Sequence, residues 1–153
     1  MKPLLLLDID GVLNPLGVRE APGYTAHRIA GLPVLLNPRH GLWLTELAEA
    51  FDVTWASSWE RDADLIARHV GLPIGLPFVE FTDQSGWTVK LPAVARYVGG
   101  RAVAWVDDVF GPEDHAWAAA RAARTLLVQA DHRVGLTLEH VQRLQRFADG
   151  RDE

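Results

Sequence analysis

Leu4-Leu5-Leu6-Leu7-Asp8-Ile9-Asp10-Gly11-Val12-Leu13-Asn14 is the stretch on which the fold turns. Its apolar run is continuous rather than alternating, the pattern of a short strand buried on both faces, as in a parallel sheet. The run stops at two carboxylates two positions apart. In extended backbone such side chains point the same way. Carboxylates so placed repel, and at least one pKa rises unless a cation lies between them. Closing an all-leucine strand with an unpartnered carboxylate is costly. The stretch therefore predicts a central strand with a polar site at its carboxyl end.

Working outward, strand and helix patterns alternate. Tyr24 to Ile29 and Leu32 to Leu36 flank Ala30-Gly31 as a hairpin. Pro38 precedes a helix with Leu42, Trp43, Leu44, Leu47, Ala48 and Phe51 at helical spacing. Asp52 to Ala56 reads as a second core strand, and Ser57 to about His69 as a helix stopped by Gly71-Leu72-Pro73. Pro77 to Phe81 is a short third strand, and Lys90 starts a helix that Gly99-Gly100 ends. Ala102 to Val106 is a strand closed by Asp107-Asp108, followed by a helix from Pro112 through the Ala-rich 116–123. Thr125 to Val128 is a last strand and Thr137 to about Ala148 a last helix. This order predicts an α/β, three-layer Rossmann-like domain with a mostly parallel five-stranded sheet, as a single domain over residues 1–153.

With 153 residues, 48% of them hydrophobic, the chain can bury a core of its own. It has no cysteine, which excludes disulfides and thiolate metal sites. The net charge of −5 argues against an extended nucleic-acid surface. No run of about 18 apolar residues is present, and Asp8 cuts the leucine run short of a signal-peptide core. A cytoplasmic protein without membrane association is expected. Residues 11–45 are locally basic, with Arg19, Arg28 and Arg39 against Glu20. Arginines outnumber lysines thirteen to two, so the internal Lys90 stands out as a compact point charge where a planar guanidinium was the common choice.

Ligands of open parallel sheets bind beyond the carboxyl ends of the strands. The informative polar residues fall at such ends: Asp8 and Asp10 after the first strand, Ser57 after the second, Asp107 and Asp108 after the fourth, with Lys90 at the start of the preceding helix. A cluster of carboxylates without histidine or cysteine is an all-oxygen site, suited to Mg²⁺ rather than zinc. Ser57-x-x-Glu60 also matches a capping box, so the hydroxyl has a structural reading beside a phosphate-binding one. Ser58 is the rival position; the strand phase Val53, Trp55, Ser57 favours Ser57.

These residues together resemble the four motifs, in order, of the haloacid-dehalogenase-like (HAD) phosphohydrolase superfamily. Asp8-Ile9-Asp10-Gly11-Val12-Leu13-Asn14 resembles the first motif, Ser57 the second, Lys90 the third and Trp105-Val106-Asp107-Asp108 the fourth, spanning residue 4 to about 130. The run Trp55 to Glu60 and the fourth motif are also similar to a small branch that includes phosphatase-like domains of RNA-repair proteins. The resemblance implies that Asp8 is the nucleophile and Asp10 the acid and base. It implies that Ser57 and Lys90, with Gly11 and Ser58 nearby, bind the phosphoryl group. Mg²⁺ would be held by Asp8, the backbone carbonyl of Asp10, and Asp107 with Asp108 supporting or sharing. Val106 stands where the family often has glycine, and the paired aspartates that follow it leave open which of Asp107 and Asp108 touches the metal. Family dehalogenases lack the second aspartate of the first motif, so Asp10 favours a phosphatase.

Only 46 residues separate Asp10 from Ser57, and a core helix takes about a dozen of them. The insert at about 15–37 is too small for the cap domain that such proteins often carry, so a flap and an open site are expected unless an oligomer covers it. An open site admits a small phosphorylated substrate or the phosphorylated end of a polymer. Arg19, His27, Arg28, Arg39 and His40 fall in or near the insert and read first as solvated loop residues, second as contacts for such an anion. Stacking on a base or ring is the second reading of Trp59, and contact with the leaving group the second reading of Asp131-His132-Arg133, a plain loop being the first. A sugar-phosphate mutase is disfavoured by the missing cap, since a mutase must exclude water. A two-component receiver is disfavoured by the order of its acidic pair. A non-catalytic phosphate-sensing or partner-binding domain is the alternative from another class.

Overall fold

A computed structural model describes residues 1–81 and 89–151. The elements in chain order are β1 (Leu4–Leu7), β2 (Thr25–Ile29), β3 (Leu32–Leu36), α1 (Pro38–Leu47), β4 (Asp52–Trp55), a 3₁₀ turn (Glu60–Asp62) and α2 (Ala63–Val70). They continue with α3 (Leu91–Val98), β5 (Val103–Asp107), α4 (Pro112–Ala120), β6 (Thr125–Gln129) and α5 (Leu138–Ala148). The main sheet has four strands in the order β4-β1-β5-β6, every pair parallel. β2 and β3 form a separate antiparallel hairpin inside the insert. Residues 82–88, Trp87 among them, lie outside the described residues.

The leucine run shows why the fold has three layers. Leu5 and Leu7 point into one core with Val53, Trp55, Ala104, Val106, Leu126 and Val128. Leu4 and Leu6 point into the other with Val103 and Trp105. Side chains alternate across a strand, so a run apolar at every position needs cover on both faces. On one face the cover is Leu44 and Leu47 of α1, Ile66 and Val70 of α2, and Val141, Leu144 and Phe147 of α5. On the other it is Ala93, Val94 and Val98 of α3, with Trp117 of α4 packed alongside. Burying one leucine fully contributes about 1.5–3 kcal/mol, and all four of β1 are buried.

The expected fifth strand is reduced to one bridge. Trp55 pairs in parallel with Phe78, its amide donating to the Pro77 carbonyl at 2.9 Å while the Val79 amide donates to the Trp55 carbonyl at 2.8 Å. Pro73, Gly75 and Pro77 interrupt this segment, and proline cannot donate to a ladder. The single helix expected from Ser57 to His69 is also corrected. The chain makes a turn and a 3₁₀ segment first, and α2 begins only at Ala63.

The strand order places the site. β1 lies between β4 and β5, so the chain leaves β1 to one side and returns on the other. Leu7 is level with Trp55 on one neighbour and Val106 on the other. Asp8, Ala56 and Asp107 therefore emerge together at the carboxyl edge, where the reversal of strand order opens a crevice.

Candidate active site

Asp8 and Asp107 are almost fully buried, with only 6% and 3% of their surface exposed. One oxygen each from Asp8, Asp107 and Asp108 lie within 4.8 Å of one another. The Lys90 ammonium closes this group. It donates to Asp107 Oδ2 at 2.7 Å and to the Ala56 carbonyl at 2.8 Å, and its Nζ lies 3.3 Å from Asp8 Oδ1 as an ion pair. Local amides fix the carboxylates: Ile9 donates to Asp8 Oδ1 at 2.8 Å and Asp108 to Asp107 Oδ1 at 2.8 Å.

Burial pushes the Asp8 carboxyl up to about 8, against the pull of Lys90 and with Asp107 adding to the rise. Burial and the adjoining Asp107 raise Asp108 to about 6. For Lys90, burial works downward, but Asp8 and Asp107 outweigh it and hold the ammonium above its ordinary value. Three carboxyl groups thus share one ammonium, so ionising all three leaves two negative charges uncompensated. An all-oxygen donor set with unmet negative charge fits a hard divalent cation such as Mg²⁺. The Asp10 side chain is not part of the group. A part for Asp10 in a metal site is thereby limited to its backbone carbonyl.

Asp10 faces elsewhere. Asn14 Nδ2 donates to its Oδ1 at 2.9 Å, and the indole of Trp59 donates to its Oδ2 at 3.1 Å. Asn14 and the indole bond of Trp59 were not foreseen as its partners. Asn14 sits inside the first motif, but the 49-residue separation of Trp59 from Asp10 leaves no local signal.

Ser57 is buried one residue beyond Ala56, whose carbonyl receives Lys90. Its Oγ accepts the Trp59 amide at 3.1 Å. The expected capping box does not form, because Glu60 turns to accept the Phe81 amide at 3.1 Å. Ser58 is exposed. Gly11 has φ +86°, and its amide donates to the Asn14 carbonyl at 2.8 Å, so what it offers the site is space. A Cβ there would collide with the Asp108 carboxylate.

The insert is tied to the edge of the site, with the Leu16 amide donating to the His132 carbonyl at 2.7 Å. Arg19, Arg28, Arg39, His132 and Arg133 are exposed. The His27 ring packs against that of His69 at 4.7 Å. His40 does not belong with these residues. It is fully buried, its Nε2–H donates to the Leu136 carbonyl at 2.9 Å, and burial lowers its pKa to about 4. A neutral core histidine cannot attract an anion. A separate cavity of about 740 Å³, lined by Arg61, Leu76, Phe78, Arg96 and Tyr97 among others, contains none of the residues of the carboxylate site.

No helix among the described residues is long and apolar enough to cross a membrane. Comparison with curated proteins found no match, and comparison with solved structures found none. A family model for the HAD domain of Swiss Army Knife RNA repair proteins matches residues 4–141, which includes every strand among the described residues, the first turn of the last helix, and the whole carboxylate site. With its parallel sheet, its hairpin in place of a cap and its four motifs at one edge, the chain belongs to that family of HAD domains.

Proposed function

We propose that the protein is a phosphomonoester hydrolase that works through an aspartyl-phosphate on Asp8, with Mg²⁺ as its cofactor. The observation behind this reading is the convergence of Asp8, Asp107, Asp108 and Lys90 at the carboxyl ends of β1 and β5. Asp8, Asp107 and Asp108, with the backbone carbonyl of Asp10, would hold the cation. The chemistry that bound Mg²⁺ supplies is charge neutralisation between an anionic carboxylate and an anionic phosphate.

A carboxylate oxygen of Asp8 attacks phosphorus, and the bond from phosphorus to the ester oxygen breaks. Asp10 gives its proton to that leaving oxygen. Asp10 then takes a proton from water as the water oxygen attacks the aspartyl-phosphate, which releases inorganic phosphate and restores Asp8. Lys90 meets the transferring oxygens on the side where it now forms its 3.3 Å ion pair with Asp8, the longest of its three polar contacts. The buried Ser57 hydroxyl is a second donor, since its Oγ accepts from Trp59 and keeps its own hydrogen.

The substrate class we infer is nucleotides and phosphorylated polynucleotide ends, handled in the cytoplasm. The description of the family points toward RNA repair. The small hairpin insert leaves room for a bulky substrate, and Arg19, Arg28 and Arg133 are exposed for its other phosphates.

The test is hydrolysis of an aryl phosphate with Mg²⁺ by the wild-type chain and by Asp8→Asn. It is followed by a panel of nucleotides, sugar phosphates and 3′- or 5′-phosphorylated oligonucleotides. Turnover that disappears in Asp8→Asn is expected, with the oligonucleotides preferred. Silence across the whole panel would replace this reading with a phosphate-sensing or partner-binding domain.

A further inference from the structure

Both oxygens of Asp10 are held by groups that can only donate. An indole N–H has no acceptor capacity, and neither has an amide NH₂. The orientation of the Asn14 amide is fixed from its other side, where the Leu35 amide of β3 donates to Asn14 Oδ1 at 2.9 Å. That bond leaves Nδ2 to face Asp10 at 2.9 Å. Trp59 is anchored as well: its ring packs against the larger core, and its own amide donates to Ser57 Oγ at 3.1 Å. One carboxylate is thus gripped by Asn14, which β3 of the insert holds in place, and by the turn after β4 through Trp59.

This grip has a chemical consequence. A carboxylate offers about four lone-pair sites, and the two donors occupy one on each oxygen. A proton placed on Asp10 finds no acceptor on either partner, so it must point to the open side. We propose that Trp59 is the positioning residue of Asp10, holding its carboxyl so that its proton faces the leaving oxygen. The proposal rests on the reading of Asp10 as the acid and base of a phosphatase. It gives Trp59 a role in the transfer step rather than in stacking on a base.

The experiment compares kcat/KM of the Mg²⁺-loaded full chain on two esters of matched shape, phenyl phosphate and 4-nitrophenyl phosphate. This parameter covers the steps through departure of the phenol, where the acid acts. The nitrophenolate leaves with little help, whereas phenolate needs the proton. Trp59→Phe keeps the ring and removes the N–H. On phenyl phosphate it should lose about 10- to 100-fold, the scale of a displaced catalytic group. The loss on 4-nitrophenyl phosphate should be much smaller. In an Asp10→Asn background the same change should add nothing, because the two residues act as one unit.

Equal losses on the two esters, no loss, or losses that add to those of Asp10→Asn would overturn the proposal. A second measurement needs no Trp59 variant: the indole N–H resonance of Trp59 should shift in Asp10→Asn, and an unmoved resonance overturns the proposal. Failure of the underlying reading is distinct, since it shows as a wild-type chain without Asp8-dependent hydrolysis, and the proposal falls with it.

Discussion

Lys90 and Asp107 form the shortest ion pair of the site, 2.7 Å from Nζ to Oδ2, and both side chains are largely shielded from water. Removing one partner of such a pair leaves the other charge buried and uncompensated, at about 3–5 kcal/mol. Lys90→Met should therefore destabilise the chain on that scale at pH 7 in denaturant unfolding. The loss should shrink as pH falls, because protonated carboxyls no longer need the ammonium. Adding Mg²⁺ at neutral pH should recover part of it without restoring turnover. A pH-independent loss would mean that Lys90 acts through packing alone.

Gly11 serves the site by having no side chain. Its φ of +86° lies in the left-handed region, and the space beside it is filled by Asp108. Gly11→Ala should cost about 1–3 kcal/mol in backbone strain, a loss most domains survive. Its larger effect should be on Asp108, which must move away from Asp8 and Asp107. The expected phenotype is a folded chain, by circular dichroism, whose melting temperature no longer responds to Mg²⁺.

A cation that binds only the folded state stabilises by mass action, by about 2.7 kcal/mol at one hundred times its dissociation constant. Wild-type melting temperature should rise with Mg²⁺ concentration in this way. Asp107→Asn should abolish the response, since it removes one of three clustered carboxylates and frees Lys90 from its shortest partner. His132→Ala, at an exposed position outside that cluster, should leave it intact. An unchanged response in Asp107→Asn would remove Asp107 from the metal site.

Much of this arrangement was legible because strand ends are local features. Leu4 to Leu7 names a doubly buried strand by itself, and polar residues just past such strands gather at one edge by topology. Asp8, Asp107 and Asp108 come together as that rule requires, and Lys90 joins them from the start of α3. What stayed hidden depends on partners distant along the chain. Glu60 looks like half of a capping box until the Phe81 amide, 21 residues away, competes for it. The segment 77–81 has a strand's composition, but with Pro73, Gly75 and Pro77 at and before its start it makes only one bridge. His40 sits in a basic stretch of sequence, yet its helix turns it into the core. The bond from Trp59 to Asp10 depends on how the turn after β4 folds back, which no spacing encodes.

The buried histidine gives the protein a measurable acid sensitivity away from the carboxylates. His40 Nε2–H donates to Leu136 O, and its Nδ1 has no hydrogen-bond partner among the described residues. Its pKa falls from 6.5 in the unfolded chain to about 4 in the fold, because burial disfavours the imidazolium. Between these values the unfolded chain binds a proton that the folded chain does not, so stability drops as pH is lowered from 6.5 toward 4. A shift of this size corresponds to a loss on the order of 3 kcal/mol across that window. Asp8 and Asp108 have raised pKa values and act in the opposite sense, losing stability as pH rises, so the wild-type curve contains both. His40→Gln separates them: it keeps an N–H for Leu136 O and removes the titration. The stability difference between wild type and variant should be greatest above pH 6.5 and shrink toward pH 4. Parallel curves in urea unfolding across that range would show that His40 does not cause the acid sensitivity.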